Sequence, residues 1–183
     1  MNESLTQIPL EELLPYLFPE DLSAEEILPW ERPDEKTAAL RESVPEHRDI
    51  RLSLRLRHED GQTELTGVAH GISRKENLYI VEEELLWNRP SQLPRALSDR
   101  SLAHARLLAL ALCNTKGLDQ VGIRLYTFSR GTVLCTEETA SKEELSAFLH
   151  QLSPRLFPFF PCGKGLTPSW NSRTKAYGRV KRI

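Results

Sequence analysis

Imidazole and carboxylate side chains are concentrated around three positions in the middle of the chain. His70 precedes the consecutive acidic residues Glu82, Glu83 and Glu84, and His104 follows them. His70 with Glu82 or Glu83 supplies one nitrogen and one or two oxygen ligands, a set that manganese accepts more readily than magnesium does. The simpler alternatives are a solvated strand end for the three glutamates and a histidine hydrogen-bonded to a neighbour for His70.

The elements that position these residues follow from the hydrophobic pattern. Apolar residues alternate with polar ones from residue 50 to 57, and this period of two predicts a half-buried strand. Turn residues around Gly61 and Asn77 separate this strand from two more, over residues 63–72 and 78–86. We therefore expect a meander of three strands, with His70 on the second strand and the three glutamates on the third.

Helices are predicted on both sides of this meander. A short helix is expected over residues 34–43, and the apolar run at 102–113 predicts a buried helix that ends at Gly117. Two further strands follow, at 121–128 and 132–136. A capping box at Ser141–Glu144 then opens a helix to about residue 152. The expected fold is α/β (α+β), with a mixed central sheet of about five strands in the order α-β-β-β-α-β-β-α.

Three segments of this pattern resemble a known set of motifs. They are Gly67-Val68-Ala69-His70-Gly71-Ile72, the apolar strand 78–86 that carries the glutamates, and the start of the helix at residues 102–109. The order and spacing are similar to the PD-(D/E)XK, or restriction-endonuclease-like, superfamily. The likeness is greatest to RecB-type nuclease domains at the N-terminus of some bacterial DinG-like helicases. The resemblance covers about residues 45–153 and implies a restriction-endonuclease-like core.

Most of the residues that the family uses for catalysis differ in this chain. The resemblance places His70 at the metal-binding aspartate, Glu83 at the matching carboxylate and Leu85 at the lysine. It places His104 at the glutamine and Leu108 at the tyrosine. Because phosphodiester cleavage in that family needs a divalent metal, the altered set implies an inactive nuclease-like protein with no cofactor.

A second register and two further functions stay open. Pairing Glu82 with Glu84 matches an E-x-E pattern that some superfamily members use. If the chain is active, we expect a deoxyribonuclease that depends on Mg²⁺ or Mn²⁺, with a migrated site around His70 and Glu82–Glu84 and with His70, Glu82 and Glu83 as metal ligands. The third hypothesis is a structural subunit that acts through protein interaction.

The charge of the chain divides it into three parts. Residues 1–50 hold 13 acidic and 4 basic side chains, whereas residues 151–183 hold 7 basic and no acidic ones. We therefore predict an acidic, proline-rich arm with short helices at 1–44, the nuclease-like core at 45–153, and a basic tail containing proline and glycine at 154–183. Arms of opposite charge indicate either that they pair with each other or that one binds nucleic acid.

Basic residues in two places are candidates for nucleic-acid binding, since cations neutralise phosphates and aromatic rings stack on bases. One group lies on the polar face of the first meander strand and the other in the basic tail. The candidates are Arg51, Arg55, Arg57, Lys164, Trp170, Arg173, Lys175 and Arg179. The expected partners are DNA, or a helicase or other protein.

Composition excludes several other classes. The three cysteines are widely spaced, which argues against a disulfide framework or a CxxC zinc pair. The sequence contains no phosphate-binding GxxxxGK[ST] motif and no G-x-S-x-G motif. It has neither an apolar run long enough to cross a membrane nor the pattern of a signal peptide at residues 1–10. We therefore expect a cytoplasmic protein with no membrane partner.

Overall fold

The structure, a computed structural model, describes residues 5–19, 32–58, 61–87, 93, 95–129, 131–156 and 176–181. Within these ranges, seven strands form one sheet and four helices accompany it. The strands are β1 (Leu5–Pro9), β2 (His47–His58), β3 (Gly61–Lys75), β4 (Leu78–Leu86), β5 (Gln120–Ser129), β6 (Thr132–Ser141) and β7 (Ala176–Lys181). The helices are α1 (Leu10–Leu17), α2 (Glu35–Ala38), α3 (Arg95–Lys116) and α4 (Lys142–Leu156).

The sheet is mixed, as the sequence predicts for an α/β (α+β) protein. The strand order is β6-β5-β4-β3-β2-β7, and the pairs along it are antiparallel except for β4 with β5. Helix α3 makes the crossover that a parallel pair requires. The long strand β3 pairs along one edge with β2, and along the other with β1 near its start and β4 near its end.

The predicted meander β2–β3–β4 is confirmed, and so is the period of two in β2. The apolar residues Ile50, Leu52, Leu54 and Leu56 are buried, whereas Arg51 and Arg57 in the same strand are exposed. One face of β2 therefore lies in the hydrophobic core, and the other carries arginines.

The helices of the core also follow the sequence closely. The apolar part of α3 is buried from Leu107 to Cys113, and α3 ends where Gly117 adopts a φ of 65°, a conformation that glycine tolerates without strain. The capping box that opens α4 is present. Glu144 N donates to Ser141 Oγ at 3.1 Å, and Ser141 N donates to Glu144 Oε2 at 2.7 Å.

The N-terminal segment belongs to the core. The prolines of residues 1–34 argue for only a short, turn-rich segment near residues 10–14, yet α1 continues through Pro15 to Leu17. Its four buried residues are spaced i, i+3, i+4 and i+7 along one face, and they are Leu10, Leu13, Leu14 and Leu17. Burial of this face outweighs the one backbone hydrogen bond that Pro15 removes.

Two other segments differ from the prediction. The expected helix at 34–43 is reduced to α2, because Arg41 and Ser43 leave the helix to contact Glu82 on the sheet. The sheet also gains β1 and β7 beyond the expected five strands. Residues 20–31 of the proline-rich arm lie outside the described residues, as do residues 157–175 and 182–183 of the tail.

In the part of the chain that the structure describes, no helix has the length and apolar character needed to cross a bilayer.

Candidate functional site

The three consecutive glutamates of β4 are divided between the two faces of the sheet, because successive side chains of a strand point in opposite directions. Glu83 faces α3, and Glu82 and Glu84 face the other side. All three are buried, with exposed fractions of 0%, 0% and 6% for Glu82, Glu83 and Glu84. The alternative of a solvated strand end is therefore wrong.

Glu83 lies between two histidines from different elements. His70 Nδ1, on β3, is 2.8 Å from Glu83 Oε2, and His104 Nδ1, on α3, is 3.1 Å from Glu83 Oε1. The side chain of His70 is 13% exposed, and that of His104 is 1% exposed. Three positions that the family resemblance singles out thus converge, and each oxygen of the carboxylate faces an imidazole nitrogen.

A fourth residue, Glu11 of α1, completes this cluster. Its Oε1 is 3.3 Å from His104 Nε2, and it accepts a hydrogen bond from the backbone N–H of Val68 at 3.4 Å. The result is a continuous chain of alternating acid and base across α1, α3, β4 and β3. We call these four residues, Glu11, His104, Glu83 and His70, the acid–imidazole chain.

Mutual attraction within the acid–imidazole chain shifts each pKa towards the charged form. Burial disfavours a charged His104, but Glu83 and Glu11 outweigh it and raise the pKa of His104 to about 9. Burial likewise opposes the ionised form of Glu83, yet His104 and His70 hold its pKa below the usual range. The pKa of Glu11 is lowered, and that of His70 is raised by Glu83, in both cases against the effect of burial. His104 is therefore a buried cation at neutral pH.

The donor set does not fit the divalent metal that the family resemblance implies. A protonated His104 has no lone pair for a ligand bond, and its charge repels a cation. Both oxygens of Glu83 already face imidazoles. Glu82, the third predicted metal ligand, lies on the opposite face of β4, so one ion cannot contact all three. Among the described residues, no group of three or more His, Cys, Asp and Glu side chains has an arrangement suited to a metal ion.

The remaining motif positions, Leu85 and Leu108, carry aliphatic side chains. Leu108 is 1% exposed, and Leu85 is partly buried. A Cβ atom added at Gly67 would lie 2.8 Å from His104 Nε2, 3.1 Å from Leu108 Cδ2 and 3.2 Å from Leu10 Cδ1. The absence of a side chain at Gly67 is what lets α3 and α1 approach β3 this closely.

A second buried polar cluster surrounds Glu82 on the other face. Its carboxylate accepts hydrogen bonds from Ser73 Oγ at 2.8 Å, Ser43 Oγ at 2.6 Å and Arg124 Nη1 at 3.0 Å, and from Arg41. Arg41 also forms an ion pair with Glu84, and its guanidinium stacks 4.5 Å from the ring centre of Tyr126. Arg124 in turn binds Glu137 on β6 at 2.6 Å. These contacts hold residues 41–43 against the sheet and neutralise Glu82 and Glu84.

The predicted nucleic-acid-binding residues within the described ranges lie on β2 and β7 and belong to neither cluster. Arg51 and Arg57 are exposed on β2, and Arg55 Nη2 is 3.3 Å from the buried carboxylate of Glu64. Arg179 belongs to β7, where its backbone is opposite Ser53. The other tail candidates, Lys164, Trp170, Arg173 and Lys175, lie outside the described residues.

Sequence reasoning missed Glu11, Arg41 and Arg124. The leucine spacing after Glu11 is a helical signal that the neighbouring prolines obscure. Arg124 interrupts an apolar strand, and a lone charge in such a run indicates a buried partner. Arg41 carries no comparable local signal, because its role depends on a contact with a strand distant in sequence.

No protein-family model matches the sequence, and no curated protein sequence matches it. Among solved structures, the crystal structure of SSO0001 is similar over 65% of this chain, with 14% sequence identity and a TM-score of 0.41. The chain spans about half the length of that protein, 52% of its residues. A similarity at this level carries no conclusion about family or function.

Proposed function

We propose that this chain is a catalytically inactive PD-(D/E)XK nuclease-like protein with a restriction-endonuclease-like core. It acts by binding nucleic acid or protein in DNA processing or defence. The observation that carries the proposal is the environment of Glu83, the one carboxylate of the family's set that remains. Its oxygens lie 2.8 Å and 3.1 Å from the two imidazoles.

Cleavage of a phosphodiester by this class of enzyme requires a metal ion and a group that positions or activates water. The carboxylate that would bind the metal is that of Glu83. Its two oxygens contact His70 and His104, which stabilise its charged form but occupy the positions that a metal ion would take. Leu85 stands where the family has its lysine, and an aliphatic side chain can neither donate nor accept a proton. The site therefore lacks two of the chemical functions that the reaction needs.

The other carboxylates of β4, Glu82 and Glu84, do not replace the metal-binding aspartate that the family has at the position of His70. Glu82 is bound by Arg41 and Arg124, and Glu84 is bound by Arg41. Removing these glutamates from their arginines would leave buried charges unpaired, at a cost of several kcal/mol. A migrated metal site around His70 and Glu82–Glu84 would have to break these contacts first.

The test is a nuclease assay on the purified chain with supercoiled plasmid and single-stranded DNA, in Mg²⁺, in Mn²⁺ and in chelator. The proposal expects no cleavage above the chelator control in either metal. His70→Ala and Glu83→Gln serve as matched variants, each checked for folding by circular dichroism. If the wild type cleaves DNA only when metal is present, and neither variant cleaves it, the proposal is overturned. That result would favour the deoxyribonuclease alternative.

A further inference from the structure

Two neighbouring strands at one edge of the sheet carry an excess of positive charge. Strand β2 contains Arg48, Arg51, Arg55 and Arg57 against a single acidic residue, and β7 contains Arg179 and Lys181 with no acidic residue. The antiparallel register puts the backbone of Arg51 opposite that of Lys181, and the backbone of Ser53 opposite that of Arg179. We call the paired strands His47–His58 and Ala176–Lys181 the β2–β7 ribbon.

Two arginines of β2 have no carboxylate partner among the described residues, whereas three arginines outside this ribbon do. Arg41, Arg106 and Arg124 each bind one or more carboxylates. By contrast, Arg51 and Arg57 are exposed and form no ion pair with any residue in the described ranges. They are six positions apart on β2, so their side chains share one face of the strand. Cations without counter-charges on one face create a positive potential that attracts an anion.

We infer that the β2–β7 ribbon binds the phosphate backbone of a nucleic acid. This rests on the proposed function, that the chain acts by binding, and it assigns the binding to the edge of the sheet formed by β2 and β7, whose arginines do not belong to the acid–imidazole chain. A strand rises about 3.4 Å per residue, so Arg51 and Arg57 are about 20 Å apart along β2. A row of this length suits a polyanion with regularly spaced phosphates better than a small anion.

The surface chemistry of β2 favours nucleic acid over a protein partner. The large apolar side chains that are exposed in the described part of the chain are Leu5, Tyr16, Leu40, Val44 and Leu134. None of them lies on β2. Protein interfaces centre on apolar and aromatic side chains, whereas phosphate binding depends on arginine and lysine.

The experiment measures binding of the full chain to fluorescently labelled duplex DNA, single-stranded DNA and RNA, by anisotropy, between about 50 and 200 mM salt. The variant is Arg51→Gln with Arg57→Gln. The matched control is Arg74→Gln with Arg95→Gln, which removes two exposed charges elsewhere. Thermal unfolding checks that both proteins retain the wild-type fold. Comparison of the three probes identifies which nucleic acid is bound.

The inference expects salt-dependent binding by wild type and control, and weaker binding by the β2 variant. The slope of log affinity against log salt should fall by about two, one for each arginine that no longer neutralises a phosphate. Equal affinity and slope in the β2 variant and the control would overturn the assignment to the ribbon. A wild type that binds none of the probes at low salt would overturn it in favour of a protein partner. Neither result bears on the nuclease assay, so the two proposals fail separately.

Discussion

His104 Nδ1 lies 3.1 Å from Glu83 Oε1, and the two side chains are 1% and 0% exposed. The contact joins the crossover helix α3 to the central strand β4 through an ion pair inside the hydrophobic core. A buried ion pair is costly to form, and it is far more costly to break by removing one partner. Because Glu11 and His70 extend the pair in both directions, four elements of the fold depend on the same electrostatic arrangement.

Glu83→Ala should be strongly destabilising. The substitution removes the buried carboxylate that both His104 and His70 face, and so leaves the buried cation His104 without one of its two counter-charges. The expected loss in the free energy of unfolding is about 3–5 kcal/mol, measured by urea denaturation near pH 7. Glu143→Ala on the exposed surface of α4 is the control and should change stability by less than about 0.5 kcal/mol. Equal effects of the two substitutions would show that the buried contact contributes nothing.

The free energy of unfolding should fall at alkaline pH because His104 loses its proton. The pKa of His104 is raised from 6.5 to about 9 in the folded state. Its contribution is therefore fully present below about pH 6.5 and is lost as the pH rises towards 9. Denaturation midpoints measured from pH 6 to pH 9.5 should decline in the wild type and decline less in His104→Gln. His47→Gln, at a side chain 40% exposed, controls for general effects of losing an imidazole and should keep the wild-type slope.

The free energy of unfolding should also fall at acidic pH, because of the two carboxylates of the acid–imidazole chain. The pKa values of Glu83 and Glu11 are lowered from 4.5. Their stabilising contribution is present above about pH 4.5 and is lost as the pH falls below it. We expect Glu11→Gln to reduce the acid sensitivity of unfolding between about pH 5 and pH 3, read by circular dichroism. If Glu11→Gln loses stability on acidification as steeply as the wild type, Glu11 does not contribute to the acid–imidazole chain.

Gly67→Ala should disturb the packing of α3 and α1 on β3. The added Cβ would meet His104 Nε2 at 2.8 Å and Leu108 Cδ2 at 3.1 Å, and both neighbours are buried. Overpacking of this kind costs about 1–3 kcal/mol, which denaturant unfolding would detect. At Gly131, where φ is 76° and the space around the Cβ position is open, asparagine tolerates the left-handed backbone. Gly131→Asn is therefore the control, and a comparable loss there would contradict the packing explanation.

Arg100→Ala should loosen α1 without unfolding the sheet. Arg100 donates from Nε and Nη2 to the carbonyl of Phe18 at 3.0 Å and 2.8 Å, and Arg155 donates to the carbonyl of Leu17 at 2.8 Å. Hydrogen bonds from charged donors to the last carbonyls of a helix contribute about 1.5–3 kcal/mol. Amide hydrogen exchange should become faster in α1 and stay unchanged in β5. Arg95→Ala, at a side chain 90% exposed, should leave both regions as in the wild type.

Local patterns in the sequence were sufficient to predict most of the central core. The alternation in β2, the apolar run of α3, Gly117 at its end and the Ser141–Glu144 capping box each depend on residues a few positions apart. Residues this close interact whatever the rest of the chain does, so their pattern predicts the element directly. The convergence of His70, Glu83 and His104 was not predicted, because it depends on how closely α3 packs on β3 and β4.

Other features depend on pairings that no local pattern encodes. Strand β7 forms on β2, and β1 forms on β3, because each finds an open edge of the sheet. The arrest of α2 at Ala38 follows from the attraction of Arg41 to Glu82, and Pro15 is accommodated because four leucines of α1 are buried together. Glu11 belongs to the acid–imidazole chain for the same reason, since the docking of α1 carries it to His104.

The sequence by itself determined which side chains are available, namely one carboxylate and two imidazoles at the positions that the nuclease resemblance marks. Only the tertiary structure decided what they do together. Burial removes water as their partner, so the acids and bases must neutralise one another, and the distances between α1, α3, β3 and β4 decide which ones meet. The fold also places Arg51 and Arg57 at the surface with no ion-pair partner among the described residues, and residue types alone do not show this.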